Sequence, residues 1–464
     1  MMKWTSCTEN ATRNALPCAS IRGPSPNDTQ ISGRETQVDP SMSVKRKVTV
    51  PVGRAATCGL LEAQMGPLDR MNEPAACVIR GLPPGRRPIH IRRCRLMDQH
   101  STVVGMDVHK RNLTVAILPP GKARPIEVLT IENRGKAIAR MATRLTTGRA
   151  VFVYEAGPCG YEVQRQLHRL GCRAVVIAPA LTPIRPGDRV KTNRRDAEKL
   201  ARLYRAGELT EIRVPTREEE AARDLVRARE DAVADRLLAR HRLSKFLLRQ
   251  GRLYHDSKAW SKGHRVWVRQ QRFDLAAAQQ TFDAYLRALE EAEARLESLN
   301  SQVLELAQTP AYAGLVRALS CLKGIDTLSA VTIVVETQDF RRFPDARGYM
   351  KFTGLVCSED SSGDKTRRGG ITKAGNAHLR RVLVEAAWSY SHQNTTGPTI
   401  RRRRHGRPTG VVQIARRAQD RLHRRFWRLV HRNKLRQVAI VAVARELAGF
   451  VWAIAREYST MQVA

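Results

Sequence analysis

The feature that most constrains the fold is a regular succession of short apolar segments between residues 102 and 178. Three of these segments follow one another, and the last two alternate with stretches of helical periodicity at about 135–147 and 161–170. The predicted strands are Thr102–Asp107, Leu113–Leu118, Ile126–Ile131, Ala150–Glu155 and Arg173–Ala178. Consecutive strands followed by strand–helix alternation predict an α/β layer built on a mixed sheet.

The rest of the chain after this layer has helical periodicity. Leucines and charges recur at helical spacing over about 216–255 and 268–308, which predicts two long antiparallel helices forming a coiled-coil arm. From about Val316 the pattern indicates a compact helical domain that continues to the C-terminus. We therefore expect an α/β domain over 101–212, an arm over 213–310 and an all-α C-terminal domain over 311–464.

Residues 1 to about 96 differ in composition from everything that follows. They are rich in Pro, Gly, Ser, Thr and Arg and show neither helical nor strand periodicity. Such a segment cannot bury enough apolar surface to offset its chain entropy, so residues 1–100 are predicted to be a disordered extension. We interpret the segment as sequence upstream of an authentic start at Met97. A basic tail that binds nucleic acid is the alternative interpretation.

The chain is strongly basic. It has 81 Lys and Arg residues against 44 Asp and Glu, a formal net charge of +37. A charge of this size opposes compaction unless an anionic partner is present, which favours nucleic acid. A membrane surface would attract the same charge, but the longest apolar stretch, Val438–Ala455, contains Arg445 and Glu446 and is predicted to be a buried helix. We therefore expect no membrane partner.

The cysteines and the first residues indicate a reducing compartment. The chain has nine cysteines, an odd number, and no Cys-x-x-Cys pair, which argues against both a disulfide framework and a zinc site. The first residues do not lead into an apolar signal segment. These features predict a cytoplasmic protein.

Carboxylates are placed at the ends of predicted strands and at the start of a helix. Asp107 ends the first strand, Glu155 ends the fourth, and Asp196 opens a helix on which Asn193 shares its face. Together they could hold two hard cations for in-line phosphoryl transfer. Any one of them alone is more typical of a turn or a cap, so the hypothesis depends on the set. His109, two residues from Asp107, is interpreted as structural.

A second constellation surrounds two serines in the helical domain. Ser361 and Ser362 precede Gly363 in a polar loop, and six cations follow: Lys365, Arg367, Arg368, Lys373, Arg380 and Arg381. These cations could hold a phosphate near the hydroxyls and stabilise charge in a transition state. A solvated loop with a basic rim that faces DNA remains open as an alternative. The serines have no local base, so nucleophilic chemistry would need help from a metal or a partner residue.

Two further segments are expected to contact phosphates. Leu322–Val331 reads as a turn between two helices, whose glycine and backbone amides could lie against a phosphate. The run Arg401–Arg407 is interpreted as a solvated segment that contacts phosphates and adds affinity without specificity.

Taken together, these motifs resemble the DEDD transposases of the IS110 family of insertion sequences. The resemblance runs from about residue 102 to the C-terminus and rests on Gly105–Lys110, Tyr154–Gly157, Lys191–Ala197, Ser361–Gly363, Thr372–Asn376 and Leu379–Arg381. It implies a RuvC-like domain with the ribonuclease H fold, a coiled coil and a helical transposase domain that carries a serine nucleophile. Family members excise and insert their own element, guided by a bridge RNA encoded beside the gene.

The resemblance also assigns roles to individual residues. Asp107, Glu155 and Asp196 would be three of four acidic ligands of Mg²⁺, two ions in all, and Ser362 would attack the DNA phosphate. Asn193 stands where the family has its other acidic residue, and its amide oxygen could ligate a cation without adding charge. Cys357 stands in a segment where the family commonly has a proline, which would alter loop stiffness.

The resemblance also implies the partners, while two other functions remain open. The implied partners are DNA, a bridge RNA and further copies of the chain. The copies would form a dimer or tetramer in which two protomers contribute to each active site. The complex would act in the bacterial cytoplasm, at the nucleoid. One alternative is a RuvC-like endonuclease or junction resolvase that uses water and does not need Ser362. The other is an inactive relative that binds nucleic acid, because Asn193 weakens the metal site. A covalent protein–DNA adduct would separate the recombinase from both.

The charge leads to a first prediction, that binding to nucleic acid depends strongly on salt. Contacts between Lys or Arg and phosphates release condensed counterions, so six to ten such contacts would lower the affinity by about 10³ to 10⁵ between 50 and 200 mM salt. Fluorescence anisotropy with a labelled duplex at increasing NaCl measures this slope. An affinity that changed less than tenfold over this range would contradict a phosphate-dominated interface.

Overall fold

The structure is a computed structural model that describes residues 101–145, 149–183, 192–363 and 365–463. The predicted extension over 1–100 and the proposed start at Met97 lie outside the described residues, as does Lys191.

A five-stranded mixed sheet forms the first part of the described chain. Its strands are β1 (Thr102–Val108), β2 (Asn112–Leu118), β3 (Glu127–Glu132), β4 (Ala150–Glu155) and β5 (Arg173–Ile177). Their order is β3-β2-β1-β4-β5, with the β1–β2 and β2–β3 pairs antiparallel and the β1–β4 and β4–β5 pairs parallel. The predicted mixed α/β layer is confirmed, and this sheet is compatible with a RuvC-like DEDD domain.

Helices cover both faces of the sheet. Helices α1 (Gly135–Leu145) and α2 (Glu162–Arg169) lie on one face, where Ile138 and Leu167 pack with Met106 of β1. Helix α3 (Asn193–Arg205) lies on the other face, where Ala201 packs with Val153 of β4. Because successive strand residues point to opposite faces, alternate positions of β1 and β4 are directed at α3.

Gly105 marks the close approach of α3 to β1. A Cβ atom at this position would lie 2.1 Å from the Ala197 carbonyl oxygen and 2.7 Å from the Ala201 backbone nitrogen. Both atoms belong to the backbone of α3, so a side chain could not be accommodated by a rotamer change alone. The start of α3 is therefore held directly over the end of β1.

Two long antiparallel helices follow the sheet. Helix α4 (Arg217–Arg249) and helix α6 (Ala276–Gln308) are joined through the shorter α5 (Lys262–Gln270). Arg229 Nε bonds Asn300 Oδ1 at 3.0 Å and Arg240 Nη2 bonds Glu293 Oε1 at 2.6 Å, so α6 runs opposite to α4. The buried residues Phe282, Leu289, Leu296 and Val303 recur every seven residues, a spacing typical of coiled coils.

The boundaries of this helical pair differ from the prediction. The first helix was expected to continue to about 255 but ends at Arg249, because Gly251 adopts a left-handed φ of 68° and Arg252 N bonds back to Leu247 O at 2.9 Å. The second was expected from 268, where α5 still continues to Gln270 before α6 begins at Ala276.

The C-terminal part contains seven further α-helices within the described residues. They are α7 (Pro310–Leu319), α8 (Thr327–Thr337), α9 (Ala346–Phe352), α10 (Ala377–Ala387), α11 (Pro398–Arg404), α12 (Thr409–Val430) and α13 (Arg436–Val463). Helix α13 is long and apolar enough to cross a membrane, but half of its apolar window is buried inside the molecule. Its residues Ala439, Val443, Leu447 and Val451 belong to the main apolar core, which confirms the predicted buried helix.

The prediction of an all-α C-terminal domain is wrong at the serine loop. There, β6 (Cys357–Glu359) and β7 (Arg368–Ile371) form a two-stranded antiparallel sheet. Backbone bonds from Thr372 N to Val356 O and from Asp360 N to Arg367 O, both 2.9 Å, extend the pairing. These strands are short and exposed and lack apolar alternation, so the sequence pattern could not predict them.

The contact at Gly105 leads to a second prediction. Gly105→Ala should lower the free energy of unfolding by about 3 kcal/mol, because the added methyl group meets the α3 backbone. Gly135→Ala is the matched control, since a Cβ at that helix start meets no atom within 4 Å. Urea unfolding followed by circular dichroism measures both, and equal midpoints for the two variants would contradict the packing argument.

Candidate active site

Two of the predicted carboxylates lie side by side at the carboxyl ends of neighbouring strands. Met106 of β1 is the parallel partner of Tyr154 of β4, so the next residues along each strand are Asp107 and Glu155. Val153, two positions before Glu155, packs in the apolar cluster under α3. By the alternation of strand side chains, Asp107 and Glu155 are directed at the face that α3 covers.

Helix α3 brings the other two predicted ligands to this edge. Thr192 caps the helix by accepting a hydrogen bond from Arg195 N at 3.3 Å, which fixes Asn193 and Asp196 in the first turn. Asp196 is half-buried and directly precedes Ala197, whose carbonyl group touches β1. The fold therefore places Asn193 and Asp196 over the strand end that carries Asp107.

His109 contacts this edge, which the sequence interpretation did not anticipate. Its Nε2 lies 3.0 Å from Asp107 Oδ2, and its backbone carbonyl accepts a hydrogen bond from Asn133 Nδ2 at 2.8 Å. The Asp107 side chain is 21% exposed and that of His109 is 53% exposed, so both can be reached from solvent. In this arrangement one oxygen of Asp107 is paired with the imidazole ring.

The side chains of the acidic edge are not arranged to bind a metal ion in this structure. In the described ranges, no group of three or more His, Cys, Asp and Glu side chains lies close enough together to hold a metal ion. The available donors are carboxylate and amide oxygens, which are the ligands that Mg²⁺ takes in proteins. The donor chemistry thus fits a hard cation, provided that Asp107 exchanges its contact with His109 for the ion and the other side chains turn inward.

The serine loop is a tight hairpin, and Ser362 stands at its tip. Ser362 N bonds Lys365 O and Lys365 N bonds Ser362 O, both at 3.2 Å, which closes a two-residue turn. Gly363, the first residue of the turn, has a φ of 55°, a conformation that glycine adopts without steric cost. We refer to residues 357–371 as the serine hairpin.

The two serines of the hairpin have different surroundings. Ser361 Oγ donates to Glu359 Oε1 at 3.1 Å and accepts from Arg367 N at 3.3 Å, so its hydroxyl is used to hold the hairpin. No group within the described ranges hydrogen-bonds the hydroxyl of Ser362. The structure thus separates two adjacent serines that the sequence alone distinguishes only by their position relative to Gly363.

The six predicted phosphate-binding cations divide into two groups. Arg380 donates to the carbonyl oxygens of Thr353 and Lys373 at 3.2 and 3.3 Å. Arg381 forms ion pairs with Glu230 and Glu385. Both cations are therefore engaged by other groups of the protein, although the Arg381 side chain is 41% exposed. The other four are exposed: Lys365, Arg367 and Arg368 lie on the hairpin, and Lys373 lies beyond its base, where its backbone N bonds Gly354 O at 3.1 Å. Of these, Arg368 lies 3.7 Å from a carboxylate oxygen of Glu359.

The base of the serine hairpin is bound to α4 through a buried carboxylate. Glu336 of α8 is fully buried in its side chain and accepts hydrogen bonds from Arg227 Nε at 2.8 Å and Nη2 at 3.0 Å. Its Oε2 also accepts from Asn376 Nδ2 at 2.6 Å. Asn376 in turn caps α10 by accepting from Leu379 N at 3.0 Å. Burial opposes the charge of Arg227, but the hydrogen bond and charge of Glu336 raise its pKa above the usual value.

A second carboxylate, that of Glu230, joins α4 to α10. Glu230 of α4 contacts His378 and Arg381, both on α10. Burial would raise the pKa of Glu230, but the hydrogen bond from His378 and the charge of Arg381 lower it below the usual value. Glu230 and Glu336 were not predicted as site residues. The only sign of Glu336 in the sequence is that it is a lone acidic residue in the apolar run of α8.

The remaining predicted phosphate contacts are partly internal. Arg404 is buried and donates to Cys321 O and Gln419 Oε1, both at 3.0 Å, so the interpretation of Arg401–Arg407 as a solvated run is wrong at this residue. Because Arg404 follows three other arginines, the sequence does not show that it is the buried one. In the turn between α7 and α8, a Cβ at Gly324 would lie 2.2 Å from Ala386 O, so the glycine faces α10.

Comparison with known proteins identifies the family. A model described as a DEDD transposase matches residues 104–250, and one described as Transposase IS116/IS110/IS902 family matches residues 316–403. The y4qE protein of Sinorhizobium fredii, which carries a transposase name, is 40% identical over 78% of this chain and 90% of its own length. This chain belongs to the IS110 family of transposases.

A second relative supports the same assignment. The transposase for insertion sequence element IS1533 of Leptospira borgpetersenii is 33% identical over 71% of this chain and 97% of its own length. The first family match covers the sheet and all of α4, and the second covers the segment from α7 to α11 that includes the serine hairpin. The acidic edge and the serine hairpin thus both lie within regions that define this transposase family.

The acidic edge leads to a third prediction. Asp107→Asn, Glu155→Gln or Asp196→Asn should lower DNA cleavage by about a thousandfold, because each removes charge from a site expected to stabilise the transition state by several kcal/mol. DNA affinity should stay within about twofold, since the basic surface is unchanged. Cleavage of labelled DNA at several Mg²⁺ concentrations measures this effect, and Asn193→Asp should lower the Mg²⁺ required.

The exposed Glu208 provides the matched control for these variants. Glu208→Gln removes the same charge just beyond the C-terminal end of α3 and should leave cleavage unchanged. Full cleavage by the Asp107→Asn protein, or an equal loss in Glu208→Gln, would refute the assignment of the acidic edge as a metal site.

Proposed function

We propose that this transposase is a recombinase that cleaves and exchanges DNA strands through a covalent serine–DNA intermediate, with metal assistance and guidance by a bridge RNA. The observation that carries the proposal is the difference between Ser361 and Ser362 at the tip of the serine hairpin. The Ser362 hydroxyl is exposed and has no hydrogen-bonding partner in the described part of the chain, whereas the Ser361 hydroxyl holds the hairpin together.

The proposed chemistry conserves the energy of the phosphodiester bond. The Ser362 oxygen attacks the phosphorus atom and loses its proton, the bond to one strand oxygen breaks, and that strand leaves as a free hydroxyl. The product is a phosphoserine ester. In the second step a strand hydroxyl attacks the same phosphorus atom, the serine oxygen leaves, and the new DNA strand is joined without an external energy source.

The surroundings of Ser362 supply positive charge but no base. The exposed side chains of Lys365 and Arg367, which follow Ser362 on the hairpin, can hold the phosphate and neutralise charge that develops on its oxygens, and the exposed Lys373 beyond the hairpin base can contact phosphates farther along the strand. The nearby carboxylate of Glu359 is engaged with Ser361 and lies near Arg368. A serine hydroxyl is a poor nucleophile at its ordinary pKa, so its activation has to come from another part of the assembly.

The acidic edge is the proposed source of that activation. Asp107, Glu155, Asn193 and Asp196 would hold the cations, and His109 would release Asp107 to do so. When bound there, Mg²⁺ would polarise the phosphate and favour loss of the serine proton. The resemblance to the family supports a composite site in which the serine of one protomer meets the acidic edge of another.

In this proposal each region has its own role. Residues 101–212 are the RuvC-like nuclease domain, 213–310 the coiled-coil arm, and 311–464 the domain with the nucleophile. The heptad spacing of buried residues on α6 supports the coiled coil. The proposed partners are element and target DNA, a bridge RNA, and further copies of the chain in a dimer or tetramer in the bacterial cytoplasm.

Two alternative functions would give different experimental results. A RuvC-like nuclease that uses water would cleave DNA without a covalent adduct and would tolerate loss of Ser362. An inactive relative would bind nucleic acid without cleaving it, and the uncharged Asn193 is the residue that favours this alternative.

The serine hairpin leads to the fourth prediction. Ser362→Ala should lose both the covalent adduct and recombination, because it removes the attacking oxygen. Ser361→Ala is the matched control: it should keep substantial activity, because its hydroxyl serves only to hold the hairpin. Denaturing electrophoresis of enzyme trapped on labelled DNA, with peptide mapping of the adduct, measures both. An adduct in Ser362→Ala, or cleaved DNA without an adduct in the unmutated protein, would refute the mechanism.

A further inference from the structure

Three arginines from different parts of the chain lie around the C-terminal end of α8. Arg213 lies just before α4, Arg223 lies near the start of α4, and Arg342 ends the single helical turn Phe340–Arg342 that follows α8. Arg213 is fixed at this point, because its Nη1 donates at 2.8 Å to Oε1 of Gln338, the residue that ends α8. Guanidinium groups repel one another, so such a group is favourable only where anions offset the charge.

The direction of Arg223 follows from its neighbours on α4. Glu219 and Arg227 lie one turn before it and one turn after it, on the same side of the helix. Glu219 pairs with the arginine that holds Gln338. Arg227 pairs with Glu336 of α8. Arg223 is therefore directed at the end of α8, between these two contacts.

Two buried donor groups at this helix end have no acceptor. The Arg223 Nε and Gln338 Nε2 atoms are both buried, and neither makes a hydrogen bond within the described ranges. The Gln338 amide cannot be turned round to change this, because its Oε1 already accepts from Arg213. Buried polar groups in proteins are normally hydrogen-bonded. Two unsatisfied donors at one helix end therefore indicate a place where an acceptor from another molecule binds.

The carboxylates nearest to this point are already paired with other arginines. The pairs are Glu219 with Arg213, Glu336 with Arg227, and Asp339 with Arg341. Arg223 and Arg342 have no ion-pair partner among the residues that the structure describes. Although Arg342 is exposed, the protein around its guanidinium lowers its pKa below the usual value, and the charges of Arg213 and Arg223 lower it further. An anion bound between Arg223 and Arg342 would offset this repulsion.

We propose that Arg223, Arg342 and the side-chain amide of Gln338 bind one backbone phosphate of a nucleic-acid strand. Guanidinium groups hold phosphate oxygens through parallel N–H donors, and the amide supplies a further donor. A carboxylate of a protein partner would meet the same donors, but an insertion-sequence transposase with a net charge of +37 has to hold DNA. The phosphate is therefore the favoured occupant.

This phosphate site lies beside the base of the serine hairpin. The Arg342 Cζ atom lies 4.4 Å from the ring centre of Phe352. The backbone oxygen of Phe352 accepts from Asn376 N at 3.0 Å, just after the hairpin. A strand held at the phosphate site would pass the hairpin base, so the site would position that strand relative to Ser362.

The phosphate site rests on the nucleic-acid binding of the proposed function and adds a defined contact to it. Its test measures affinity and does not depend on DNA cleavage. Loss of the serine adduct in an otherwise normal binding protein would refute the mechanism and leave the phosphate site standing. Unchanged affinity in the variants below would refute the phosphate site and leave the chemistry of Ser362 untouched.

The first arm of the test measures affinity in the full-length protein. Arg223→Gln/Arg342→Gln should weaken binding by about tenfold, because a phosphate loses charge-assisted hydrogen bonds. The slope of log K against log salt should become shallower by about 0.9 for duplex DNA or about 0.7 for a single strand. Arg295→Gln is the matched control, because Arg295 belongs to an exposed ion pair with Asp235 on the arm, and both quantities should stay unchanged.

Fluorescence anisotropy with a labelled DNA duplex and, separately, with a labelled single-stranded RNA identifies the source of the phosphate. The nucleic acid that loses affinity in the double variant is the one that the site holds, and a loss for both means that it accepts either. A loss for neither, or an equal loss in Arg295→Gln, would overturn the proposal.

The second arm separates ligand binding from a structural role. Without nucleic acid, Arg223→Gln should leave the urea midpoint of unfolding unchanged or raise it, because Arg223 Nε has no acceptor to lose and its repulsion of Arg342 is removed. Arg227→Gln is the comparison and should lower the midpoint, because it leaves the buried Glu336 without its ion pair. A lower midpoint in Arg223→Gln would assign Arg223 a structural role and overturn the proposal.

Discussion

The buried carboxylate of Glu336 is the interaction on which the relation between the arm and the serine hairpin depends. A charge without solvent is costly unless it is paired and fully hydrogen-bonded, and Glu336 receives hydrogen bonds from Arg227 of α4 and Asn376 at the start of α10. Loss of Arg227 would leave the charge of Glu336 uncompensated in the core, and loss of Asn376 would remove a hydrogen bond from one of its oxygens. Three separate elements are therefore obliged to meet at one point, and the hairpin begins and ends beside it.

The acidic edge is held by a different kind of contact. Gly105 lets the backbone of α3 lie directly on β1, which positions the first turn of the helix by close packing. In the proposed reaction the acidic edge would provide oxygen ligands for metal cations, whereas the serine hairpin would provide Lys and Arg side chains that bind a phosphate. Within the described residues, neither region contains both the oxygen ligands and the nucleophile that the proposed strand exchange requires.

Elements with a repeating apolar pattern could be predicted from the sequence. Features that depend on a single contact could not. The five strands and the long helices were predicted because apolar periodicity extends over many residues. The end of α4 depends on one left-handed glycine, Gly251, and the strands β6 and β7 are too short for a pattern. At the site, strand ends placed Asp107 and Glu155 correctly on neighbouring strands. The contact of His109, the burial of Arg404 and the role of Glu336 arise from tertiary neighbours that no local pattern encodes.

The length of α4 gives its attachment at Glu230 a mechanical consequence. The helix continues from there to Arg249, about 30 Å at 1.5 Å per residue, while its start is fixed to α2 by the 2.6 Å bond between Arg165 and Glu220. A sideways shift of about 5 Å at the far end corresponds to a tilt of roughly 10° at the base. A tilt of that size would strain the ion pairs of Glu230 and Arg227 together, so a displacement at the far end of the arm would be felt at the start of α10, just after the serine hairpin.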